Sequence, residues 1–190
     1  MNFYCRLILC AVLASLSAAC GATGEKAKSP PQCPIVGILD DTARARYFAD
    51  PANPDFDMLA YDVELRNAAL ISCEWRKDQV VSKIRFEAAA RIGPGARSDT
   101  VEIPMFIALI DPDGKPLAKV PSTEKIKFNA AEPFQRFARE VKDIYITPED
   151  GKKSGDYEIL LGIQLTRAQL DFNRNSARQP ARPNIKELLR

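Results

Sequence analysis

The sequence predicts a mainly β domain, an antiparallel sandwich of roughly six to eight strands with short peripheral helices. Three observations carry this. Several segments alternate apolar and polar residues with period two. Turn signals rich in Pro, Gly and Asp separate them. Few stretches have a helical period.

The elements follow in chain order. Cys33-Pro34-Ile35-Val36-Gly37-Ile38-Leu39 is a short apolar strand candidate. Asp40-Asp41-Thr42 are expected to cap a short helix over Ala43–Phe48. Residues 49–57, with Pro51 and Pro54, read as a loop. Then Tyr61, Val63, Leu65, Ala69, Ile71, Cys73 and Trp75 alternate with Asp62, Glu64, Arg66, Ser72, Glu74 and Arg76. That is a long half-buried strand with Cys73 facing inward and a bulge or break near Asn67. Lys77-Asp78-Gln79 turn the chain, and Val80, Ile84, Phe86, Ala88 and Ala90 mark the returning strand of a hairpin. Val101–Ile110 is apolar on both faces, so a central covered strand is expected. Asp111-Pro112-Asp113-Gly114 is a turn, and 116–120 return as a short edge strand stopped by Pro121. Residues 125–128 and 134–146 add strand candidates, the second with poor alternation. Tyr157, Ile159, Leu161, Ile163 and Leu165 define the last strand. Thr166-Arg167-Ala168-Gln169 fits a capping box and starts a helix running to about Arg174. Trp75 shares a face with Cys73 and is placed to pack on a disulfide there. The resulting sandwich resembles an immunoglobulin-like domain in architecture, though not in spacing.

Residues 1–19 have the form of an export signal. Arg6 precedes an apolar run from Leu7 to Leu16, followed by small Ser17-Ala18-Ala19. The run is shorter than the roughly 20 residues that span a bilayer. Leu16-Ser17-Ala18-Ala19-Cys20 resembles a bacterial lipobox, which implies lipid on Cys20, with Ser17 departing from the aliphatic residue usual there. Signal-peptidase cleavage after Ala19 is the alternative and cuts the same bond. Residues 20–32 read as the lipidated Cys and a flexible Pro-rich tether, and 33–174 as the β domain. Of the five cysteines, Cys5 and Cys10 fall in the signal. Cys33 and Cys73 remain for an oxidising compartment, and a disulfide between them is predicted.

Residues 175–190 read as a basic tail. Arg174, Arg178, Arg182, Lys186 and Arg190 recur every fourth residue. They are candidates for contact with an anionic envelope surface, against the plainer reading of a solvated tail.

The chemistry-bearing patterns are few. The chain has no histidine, which removes the commonest general base and metal ligand. Its net charge of +2 gives no strong field for nucleic acid. Asp111-x-Asp113-Gly114 is a poor calcium loop, because Lys115 and Ser122 stand where oxygen ligands belong. Asp40-Asp41 sits where caps sit. No phosphate-cradling loop, dinucleotide fingerprint or Cys/His metal spacing occurs. The reading is non-enzymatic and calls for no cofactor, with a hydrolase ranked last.

Cys33-Pro34, Leu39-Asp40-Asp41-Thr42-Ala43-Arg44, Ile103-Pro104-Met105-Phe106-Ile107-Ala108-Leu109, and Gly155-Asp156-Tyr157 leading to Gly162-Ile163-Gln164-Leu165 resemble the sequences of uncharacterised small envelope lipoproteins of alphaproteobacteria. The resemblance implies export and a lipid anchor, with Gly21 after the Cys implying the outer membrane, or else a soluble periplasmic form. It transfers no activity. Two function classes follow: an anchored interaction or structural module with an envelope protein partner, and a small-ligand carrier with a pocket between the sheets.

Overall fold

The computed structural model describes residues 32–129 and 131–178, with Ala177 and Arg178 through their backbone only. The export signal, Cys20, Arg182, Lys186 and Arg190 lie outside the described residues.

The domain is mainly β. Its strands are β1 (Ile35–Ile38), β2 (Arg44–Phe48), β3 (Leu59–Arg76), β4 (Gln79–Ile92), β5 (Thr100–Ile110), β6 (Pro116–Lys127), β7 (Phe134–Ile146) and β8 (Glu158–Ile163), followed by helix α1 (Arg167–Arg178). They form two four-stranded sheets, in orders β1-β8-β5-β6 and β2-β3-β4-β7. The inward faces share one core. Val63, Val80, Ile84 and Ile146 come from one sheet, and Ile103, Ile159, Leu161 and Ile163 from the other. Each such side chain contributes roughly 1.5–3 kcal/mol by leaving water. Fully buried Tyr157 anchors the entry to β8, its hydroxyl accepting from the Glu149 N–H at 3.1 Å.

Pairing is antiparallel except between β1 and β8, which run parallel. The expectation of a wholly antiparallel fold fails there. Cys33 just before β1 and Cys73 in β3 form a disulfide with Cα atoms 5.9 Å apart, joining the two sheets covalently. Trp75 lies near the end of β3 and is 44% exposed.

The long β3–β4 hairpin follows the period-two pattern, with two phase shifts. Arg66 and Ile71 each stand as an extra residue opposite β4. Each bulge moves the inward set by one position. Ala68 and Leu70 therefore face the core, where Ala69 and Ile71 were expected, and Cys73 recovers the inward phase. A bulge also accounts for the poor alternation of β7. Lys142 and Asp143 together face Lys83, and Asp143 takes φ 57°.

Three further expectations are corrected. Residues 44–48 form a strand, and only Asp40–Thr42 make a single 3-10 turn. A six-residue helix has a costly nucleus and little to repay it, whereas Arg44-Ala45-Arg46-Tyr47 pairs with 61–64 of β3 and buries Ala45 completely. Pro121 does not stop its strand. β6 runs through it, with Pro121 opposite Phe106. β6 is an edge strand, where a missing N–H on the solvent side removes no ladder bond. Helix α1 continues past Arg174 to Arg178, so the boundary expected at 174 falls inside it.

Candidate functional site

Beside the shared core, a groove opens between α1, β2 and the proline loop that follows β2. Its position follows from how α1 docks. Thr166 and Gln169 cap the helix reciprocally: the Thr166 N–H donates to Gln169 Oε1 at 2.9 Å, and the Gln169 N–H donates to Thr166 Oγ1 at 3.3 Å. One helical face, Gln169, Phe172 and Asn173, then meets β2 at i, i+3 and i+4 spacing.

β2 is an edge strand, so some of its carbonyls lack strand partners. The helix supplies them. Gln169 Nε2 donates to the Arg46 carbonyl at 3.2 Å, and Asn173 Nδ2 donates to the Arg44 carbonyl at 2.6 Å and the Asp41 carbonyl at 3.1 Å. Arg174 Nε adds an ion pair with Asp41 at 2.7 Å. Both partners are half exposed, so the pair is worth little by itself.

The groove encloses about 550 Å³. Phe48, Pro51, Pro54, Pro104 and Phe172 give it apolar walls. Phe48, Phe56 and Phe172 form a ring cluster, with centroids 5.9 Å, 5.6 Å and 6.3 Å apart in the three pairs. The two edge-on pairs, Phe48–Phe56 and Phe48–Phe172, add roughly 0.5–1.5 kcal/mol each beyond area burial.

Arg46 is the cation among the groove-lining residues. Its guanidinium carbon stands 5.8 Å from the Phe56 centroid and 5.5 Å from that of Phe172. Its Nε is buried and has no hydrogen-bond partner among the described residues. The reason lies one residue pair away. Asp62 is directly opposite Arg46 in the ladder, but its carboxylate is held from both oxygens by the fork of Arg44, with Nε donating at 2.7 Å. That bond raises the Arg44 pKa above its usual value. Burial, and then the charge of Arg44, lowers that of Arg46 against the pull of Asp62 and Glu64. An arginine so placed remains protonated. Asp171 also lines the groove and pairs with Arg167 at 3.4 Å on the exposed helix face.

Those residues singled out from sequence whose side chains are described fall elsewhere. Cys33 and Cys73 are bonded to each other. Arg174 is turned onto Asp41, and the side chain of Arg178 lies outside the described set. Asp111 organises a hairpin turn, its Oδ1 accepting from the N–H groups of Asp113 at 3.0 Å and Lys115 at 2.7 Å, while Gly114 takes φ 80°. Among the described residues, no group of three or more His, Cys, Asp or Glu is placed to hold a metal ion. Nor is any helix there long and apolar enough to cross a membrane. Sequence reasoning missed Arg46, Phe48 and Phe172. The available signal was the alternation of cations with apolar residues in Arg44-Ala45-Arg46-Tyr47-Phe48.

Fold and groove together define a small β domain of two sheets whose C-terminal helix roofs one sheet edge. No family model, curated protein or solved structure matches the chain.

Proposed function

We propose that the chain is a non-catalytic binding module of the bacterial envelope, held at a membrane through Cys20, with the groove between α1 and β2 as its recognition site. The groove carries this reading. Its volume lies within the few hundred to a thousand Å³ of small-molecule sites, and its walls are mostly apolar with few polar groups. The carrier class is thereby favoured over a purely structural role, with its pocket placed outside the sheets. Between the sheets stand fully buried Ile84, Ile103, Ile146, Ile159, Leu161 and Ile163. An immunoglobulin-like sandwich belongs to the same reading, supported by the inter-sheet disulfide. The N-terminal signal pattern and its Cys20 support export and the anchor.

The test is solvent extraction of the protein purified from cells, followed by mass spectrometry, for wild type and for Ala168→Trp, which fills the groove. A small molecule enriched on wild type and lost from the variant supports the reading. No enriched molecule contradicts it. Detergent partitioning of wild type and Cys20→Ala tests the anchor: the wild type is expected in the detergent phase and the variant in water.

A further inference from the structure

We infer that the groove takes a small apolar monocarboxylate, with its carboxylate on the guanidinium of Arg46 and its acyl or aryl body against Phe48, Phe172 and Pro54. The inference rests on the binding-module reading and names the ligand class for that site. Charge complementarity leads to it. Arg46 stands in an apolar wall, and no side chain or backbone group among the described residues satisfies its buried Nε. The carboxylate that its ladder position offers, Asp62, is already committed to Arg44. A partly desolvated cation without a counter-ion is costly, and an anion bound to its terminal N–H groups offsets that cost. A guanidinium presents two parallel N–H groups that match one carboxylate.

The charge count favours a single negative charge. Arg46 is the cation among the groove-lining residues, and Asp171, which also lines the groove, is paired with Arg167. A phosphate with two charges would lack a second cation in the groove. The two rings against the guanidinium, Phe56 and Phe172, keep it pre-positioned. The remaining wall of Pro51, Pro54, Pro104 and Ala168 offers apolar surface for the rest of the ligand.

The experiment is calorimetric titration of the full protein in lipid nanodiscs, with empty nanodiscs subtracted. The probes are octanoate, 2-naphthylacetate, octan-1-ol and the peptide N-acetyl-Ala-Pro-Phe. The proteins are wild type, Arg46→Gln and Arg46→Lys. Binding of octanoate or 2-naphthylacetate to wild type is expected, and the stronger of the two tells an acyl source from an aryl one. Arg46→Gln is expected to weaken that binding by about ten- to a hundredfold, with Arg46→Lys partly restoring it. Octan-1-ol binding unchanged in Arg46→Gln shows that the variant groove is intact. Equal weakening of the alcohol and the acid, or no weakening of either, overturns the carboxylate assignment while leaving an apolar groove in place. Binding of the peptide alone overturns it in favour of a protein partner. No binding of any probe overturns it too, and joined with an empty solvent extract removes the binding-module reading as well.

Discussion

Removing the disulfide should lower stability by an amount that the chain itself sets. Cys33 and Cys73 are 40 residues apart. In the chain-entropy model, closing a loop of that length in the unfolded state is worth about 4 kcal/mol at 25 °C. The unfolding entropy of a domain of about 145 residues is roughly 0.3 kcal/mol/K near its midpoint. The double variant Cys33→Ala/Cys73→Ala should therefore unfold about 13 °C lower than wild type. The fold should survive, because the shared core of Ile84, Ile103, Ile146, Ile159 and Leu161 does not pass through the sulfurs. Thermal unfolding followed by circular dichroism reads the shift, and reduced wild type serves as the second arm. A drop below about 3 °C in both arms would refute the reasoning, since it would mean that the bond does not restrict the unfolded chain as the model requires.

Three further outcomes follow from local geometry. Gly162→Ala should cost about 1–3 kcal/mol in urea unfolding, because its Cβ would stand 2.2 Å from Thr42 Oγ1 and 2.4 Å from the Phe106 ring. Gln169→Ala removes the side-chain half of the capping box, the acceptor for the Thr166 N–H, and the donor to the Arg46 carbonyl. It should cost about 1–2 kcal/mol and speed amide exchange in α1 while leaving β3 and β4 protected. The Glu140 carboxyl is held below the usual carboxylate range, first by a hydrogen bond from Lys83 and then by its charge. A depressed folded pKa means that this contribution is present above the unfolded value and is lost as pH falls through the folded one. Lys83→Met should raise the Glu140 pKa toward its ordinary value in a ¹³C NMR titration, and an unmoved titration would count against the pairing.

The strands that form the core were legible because burial on one face imposes period two, as in Val80, Ile84, Phe86, Ala88 and Ala90 of β4. The capping box at Thr166 and the turn at Asp111 were legible for the same reason: each is local chemistry written in adjacent residues. What sequence missed is non-local. Whether residues 44–48 make a helix or a strand depends on β3 being there to pair with them. The bulges at Arg66 and Ile71 depend on register against β4. The groove depends on α1 folding back onto β2 from more than a hundred residues away, through contacts such as Asn173 to the Arg44 carbonyl. No period or spacing announces that Arg46 will lose Asp62 to Arg44, because both arginines lie within reach of that carboxylate and only packing decides between them.

The most direct test of the binding site is the Arg46 Nε–Hε signal in a ¹H–¹⁵N NMR spectrum. Octanoate should shift it as the guanidinium gains an anionic partner, with accompanying shifts at Phe48, Gln169 and Phe172. An unchanged Arg46 signal, with shifts on the outer sheet faces or with none at all, would contradict a ligand site in this groove.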